Sequence, residues 1–144
     1  MRNRLFELGC LCALISGTGA LAAEPTICPA TISTHQQLAS AVAGWDSFVD
    51  DLPQLLSAVT FFDGAPEEKA SLVYDKIVKM GGKQIATWTF EAQKTRKIWL
   101  ACRYSGTAIT LKSALPDTTR VCTVTYSLKE QIAGMESIEK IVCK

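Results

Sequence analysis

The sequence predicts a mainly β, single-domain protein. The expected core is an antiparallel five-strand meander in the C-terminal half, backed by a second layer from the N-terminal half and at least one helix near 66–80; an α+β arrangement is the alternative. Three observations carry this reading. Short runs rich in β-branched and aromatic residues alternate apolar and polar positions after residue 83, with Gly and Pro-Asp breaks between them. Four cysteines remain after an N-terminal export segment, which suits a small disulfide-bonded domain. The length of 144 residues allows one ordinary domain and not two.

The first 22 residues read as a secretory signal. Arg2 and Arg4 precede an apolar run from Leu8 to Ile15, and Ala20-Leu21-Ala22 places small residues at −3 and −1 of a peptidase site. Cleavage is expected after Ala22, with Ala23 second, releasing a single domain over 23–144. The apolar run is too short for the roughly 20 residues of a membrane span. Cys10 and Cys12 lack the Leu-small-small context of lipidation. The expected product is periplasmic, with no transmembrane segment after cleavage.

Removing Arg2, Arg4 and Glu7 balances acids and bases, and that neutrality argues against nucleic acid or an anionic membrane surface as the main partner. The charge is uneven along the chain. Residues 23–75 hold eight acids against Lys69 alone, whereas residues 76–144 are rich in Lys and Arg. Packing of the two halves against each other is one explanation, and a polar partner is the other.

Between 36 and 56, Leu38, Val42, Trp45, Val49, Leu52 and Leu56 recur at helical spacing, although Gly44 and Pro53 interrupt the pattern. Leu55–Phe62 has the composition of a strand, stopped by Asp63-Gly64. Pro66–Met80 starts with proline and acids, carries lysines late and ends in Gly81-Gly82, which predicts a helix. The five strands are placed at 84–90, 97–104, 107–113, 120–126 and 138–143, with Ser105-Gly106 as a two-residue hairpin link.

Strand period also chooses among the three disulfide connectivities. Antiparallel pairing of the last two strands sets Cys122 opposite Cys143, Val124 opposite Ile141 and Tyr126 opposite Glu139. Cys28–Cys102 follows by elimination. Cys102–Cys122 would span strands that a third separates, beyond disulfide reach. Zinc and thioredoxin-like chemistry need close C-x₂-C pairs, and none is present.

The order Cys28-Pro29, Trp45, Phe61-Phe-Asp-Gly-Ala-Pro-Glu-Glu-Lys-Ala-Ser-Leu72, Trp88, Trp99-Leu-Ala-Cys-Arg-Tyr-Ser-Gly-Thr107, Leu115-Pro116, Cys122 and Cys143 resembles a family of small exported proteins of Gram-negative bacteria. Its members are generally described as hypothetical periplasmic proteins. The resemblance implies a periplasmic location and a β-rich domain framed by four cysteines. It implies a more strand-like region over 30–62, and it implies no activity.

No catalytic or metal-binding constellation stands out, and no motif calls for a cofactor. The single histidine, His35, lacks a Gly-x-Ser-x-Gly partner motif. Asp50-Asp51 and Glu67-Glu68 read as solvated acids, and a small periplasmic hydrolase using acids of the 46–68 region is the alternative function. The preferred function is non-enzymatic binding of a periplasmic or envelope partner. If Ile98, Leu100 and Cys102 face inward, Trp99 and Arg103 face the other way, near Lys94, Arg96 and Lys97. Trp and Arg are the residue types over-represented in binding hot spots. Either this face is open to a partner, or a layer from residues 30–80 covers it.

Overall fold

The computed structural model describes residues 27–91 and 95–144. The expected signal segment and its cleavage site lie outside the described residues. The chain forms two antiparallel sheets and almost no helix.

The first sheet contains β1 (Thr31–Ile32), β2 (Gln54–Asp63), β6 (Ile98–Tyr104) and β7 (Thr110–Ala114) in that order, with β3 (Ser71–Leu72) paired to the far end of β2. The second has the order β4 (Lys76–Met80), β5 (Lys83–Thr89), β8 (Val121–Ile132) and β9 (Met135–Cys143). All five predicted C-terminal strands exist, but they do not form one meander. The 97–104 and 107–113 segments join β2, while the other three pair with one another. Strands buried on one face need a second sheet to cover that face, and dividing the strands between two sheets supplies it. The second layer therefore draws only β1, β2 and β3 from the N-terminal half.

Period-two alternation sets the inner faces. From β6, Ile98, Leu100, Cys102 and Tyr104 point inward; from the second sheet, Ala86, Trp88, Cys122 and Val124 meet them. Phe61, 0 % exposed, stacks its ring 4.8 Å from Trp88 and 5.8 Å from Phe90. The Trp88 indole N–H donates to the Leu72 carbonyl at 3.1 Å, so the buried ring keeps its polar atom satisfied.

Both disulfides lie between the sheets. Cys122 and Cys143 are directly opposite across β8 and β9, with Cα atoms 4.1 Å apart. Val121 and Lys144 exchange both backbone hydrogen bonds next to them, so the cysteines occupy the closer, non-hydrogen-bonded position. Cys28–Cys102 joins the segment before β1 to the inner face of β6 at a Cα separation of 5.9 Å. The register departs from expectation at one place. A bulge sets Tyr126 opposite Ile138 rather than Glu139, which keeps an apolar residue beside the half-buried tyrosine.

Two helical expectations are corrected. Pro66–Glu68 makes a single 3₁₀ turn that Lys69 ends at φ 60°, and Lys76–Met80 is strand. Gly81 and Gly82 both take positive φ, 61° and 76°, as a two-residue hairpin link requires, so the glycines close β4 onto β5 instead of ending a helix. Residues 33–53 form no helix, and all but Thr34 are exposed. Gly44, at φ 78°, breaks the pattern, and the apolar side chains stay exposed, with Phe48, Val49 and Leu52 bordering the start of β2 and the β6–β7 link. Trp45 is accordingly surface, 78 % exposed, and not core. The α+β alternative falls with these two helices. The link between β6 and β7 is also longer than two residues, running over 105–109 with Gly106 at φ 76°.

Candidate functional site

The outer face of the first sheet is built from the residues that alternate with the inward-pointing ones. On β6 these are Trp99, Ala101 and Arg103. Pairing places Phe62 and Ala114 beside Trp99, Thr60 and Lys112 beside Ala101, and Ala58 and Thr110 beside Arg103. Trp99 is half-buried among its neighbours, and Arg103 is exposed. No layer from residues 30–80 covers them. Only the Pro66–Glu68 turn rises at the rim, where it helps enclose a shallow cavity of about 370 Å³ floored by Thr60, Phe62 and Ala101 and flanked by Glu67, Arg103 and Lys112.

The electrostatics of the face are uneven. The Lys112 ammonium lies 5.6 Å from the centre of the Trp99 ring and pairs with Glu67. Its hydrogen bond holds the Glu67 carboxyl below its ordinary pKa of 4.5. The Arg103 guanidinium has no hydrogen bond or ion pair among the described residues; its backbone carbonyl accepts from the Ser57 hydroxyl at 3.3 Å. A free guanidinium beside an apolar floor suits a carboxylate bordered by apolar groups, because Arg can offer a bidentate donor pair there.

The other predicted binding residues separate from this pair. Lys97 is exposed just before β6, and its carbonyl accepts from the Gly64 N–H at 3.0 Å. Arg96 turns to the end of β2, donating to the Asp63 carbonyl at 2.7 Å and to Glu68, with Nε 3.8 Å from Asp63 Oδ1. It holds the 3₁₀ turn and is not part of the Trp99 face. Lys94 lies outside the described residues. Sequence reasoning missed Phe62 and Lys112, which reach the face through long-range strand pairing, and Glu67, which the 3₁₀ turn carries to Lys112. The alternation around Thr110-Leu-Lys112 was the available signal for Lys112.

These ion pairs join part of the acidic half to the basic half. Asp63, Glu67 and Glu68 of the acidic half meet Arg96 and Lys112 of the basic half. The same pairing works against acid catalysis by the 46–68 region. Arg96 holds Glu68 below 4.5 as Lys112 does Glu67, whereas a general acid needs a raised pKa. Asp46, Asp50 and Asp51 lie apart in the exposed segment. Among the described residues no three His, Cys, Asp or Glu side chains are grouped to hold a metal ion, and no helix is long and apolar enough to cross a membrane.

The fold and site define a disulfide-bonded, two-sheet β protein with an open, cation-bearing outer face on its first sheet. The chain belongs to the family of Type VI secretion system Tli immunity proteins, whose family model matches residues 51–144, from just before β2 to the end of β9. It is also similar to an uncharacterized 16.3 kDa protein of Azospirillum brasilense, 32 % identical over 122 residues that cover 80 % of this chain and 81 % of that protein. No solved structure matches the chain.

Proposed function

We propose that this is a periplasmic immunity protein that binds a secreted Type VI effector protein through the outer face of its first sheet and neutralises it by occupancy. The observation that carries the reading is the pairing of half-buried Trp99 with an unengaged Arg103 on an uncovered sheet face, in a chain whose family is one of immunity proteins. Trp and Arg supply binding energy when a partner excludes water from them. The cations Arg103 and Lys112 would meet an acidic patch on the effector, which favours fast encounter as well as specificity. Neutralisation by binding needs no catalytic group. The disulfides Cys28–Cys102 and Cys122–Cys143 suit an oxidising compartment such as the periplasm.

Contact-dependent competition against the parent strain tests this reading. A strain lacking the protein should be outcompeted, and exported wild type should restore survival. An Arg103→Glu, Lys112→Glu variant that reaches the periplasm folded should not. Equal survival of the deletion strain would overturn the proposal.

A further inference from the structure

The long loop between β1 and β2 is the least satisfied part of the surface. Residues 33–53 have no regular structure, yet they expose Leu38, Val42, Trp45, Phe48 and Leu52, with Phe48 at 86 %. Loops of this length without secondary structure are uncommon in compact domains unless they serve a function. Together those five side chains expose on the order of 600–700 Å² of mainly apolar surface. Most of the segment lies outside the matched family core, which starts at residue 51. Its acids Asp46, Asp50 and Asp51 have no ion pair among the described residues.

A complementary surface is present on the same molecule. The outer face of the second sheet is formed by rows across β4, β5, β8 and β9, among them Val78–Ile85–Thr125–Lys140 and Lys76–Thr87–Thr123–Val142. Val78 and Met80 are exposed there, and Lys76 and Lys140 have no ion pair among the described residues. The face mixes Val78, Met80, Ile85 and Val142 with threonines, carries the Lys83–Glu139 ion pair, and has Lys76 and Lys140 at its margins. The loop is apolar with free anions.

A loop cannot easily serve its own molecule in this way. Its roots are held on the first sheet, by Ile32 paired with Gln54 and by the Gln36 amide donating to the Gly106 carbonyl at 3.0 Å. The complementary face belongs to the other layer and points outward from it. We infer that two copies of this chain associate reciprocally, each laying its 38–52 loop across the outer face of the partner's second sheet. Reciprocity closes the assembly as a two-fold dimer and prevents open-ended growth. Two loops of the area above, each covering a similar area of receiving sheet, exceed the 1,200–2,000 Å² or so that stable interfaces bury. The Trp99–Arg103 face remains free, so the inference stands apart from the effector reading.

Sedimentation equilibrium of the oxidised protein across the micromolar range tests it. The wild type should have twice the mass of one chain. Trp45→Asp with Phe48→Asp on the loop, or Val78→Asp on the sheet, should each weaken association by about 30-fold or more while leaving the circular dichroism unchanged. Asp50→Lys with Asp51→Lys, and Lys76→Glu with Lys140→Glu, should each weaken the dimer, and the combined charge swap should restore it. A monomeric wild type, or a dimer indifferent to the loop variants, would overturn the inference. A monomer whose loop variants instead lose effector binding would also overturn it and assign the loop to the effector interface.

Discussion

Replacing Cys28 and Cys102 together by alanine should destabilise the protein more than replacing Cys122 and Cys143. The first bridge spans 74 residues of sequence and the second 21. The chain-entropy relation gives about 4.4 kcal/mol for the longer loop and about 3.3 kcal/mol for the shorter one at 25 °C. Local structure should widen that difference. β8 and β9 are joined by a hairpin with a tight turn at Ala133-Gly134, so an unfolded chain retaining part of the hairpin already limits the shorter loop. The segment around Cys28 has fewer other ties, chiefly the Tyr104 hydroxyl donating to the Pro29 carbonyl at 3.0 Å and the Leu56 N–H donating to Ala30 at 2.9 Å. Guanidinium denaturation of the two double-alanine variants, followed by circular dichroism under oxidising conditions, measures the difference. The Cys28/Cys102 variant should have the lower unfolding free energy, by about 1 kcal/mol or more. A less stable Cys122/Cys143 variant would refute the loop-length reasoning for this fold.

Gly64→Ala should cost about 1–3 kcal/mol in thermal denaturation, because φ is 96° there and the new methyl would run into the Arg96 guanidinium; adding Arg96→Ala should relieve the clash but not the backbone strain. Phe61→Ala should lose about 3–5 kcal/mol in urea unfolding, and Phe62→Ala, on the outer face, less than half as much. Glu67 and Glu68 have folded pKa values below 4.5, so their stabilisation is complete above the unfolded value and disappears as pH falls through the lowered ones. A Glu67→Gln, Glu68→Gln variant should therefore show a flatter acid limb in a pH series of melting temperatures. Tyr126 titrates above its ordinary 10.0 because of burial and the nearby Glu136, so stability should fall as pH rises past 10, and less so in Tyr126→Phe.

Alternation made the C-terminal strands, the Cys122–Cys143 register and the shared parity of Trp99 and Arg103 legible in the sequence alone. Those features depend on neighbours two residues apart. The division into two sheets was not legible, because a local pattern places residues on a face without naming the partner strand. Gly81-Gly82 shows the same ambiguity: two glycines after a lysine can end a helix or close a hairpin, and only β5 pairing decides it. The apolar spacing from Leu38 to Leu52 resembles a helix, but the described fold leaves these side chains exposed rather than buried against a sheet. Arg96 resembled a contact residue because it stands near Trp99 in sequence. Its partners, Asp63 at the end of β2 and Glu68 in the 3₁₀ turn, lie about 30 residues earlier.

The most direct test of the immunity reading is calorimetric titration of the oxidised protein with the Type VI effector secreted by the same bacterium. Wild type should bind in a saturable complex. Arg103→Glu should weaken that complex by about 30-fold or more, with an unchanged melting temperature, because its side chain is exposed and has no partner among the described residues. An affinity unaffected by Arg103→Glu and by Trp99→Ala alike would contradict the placement of the interface on this face.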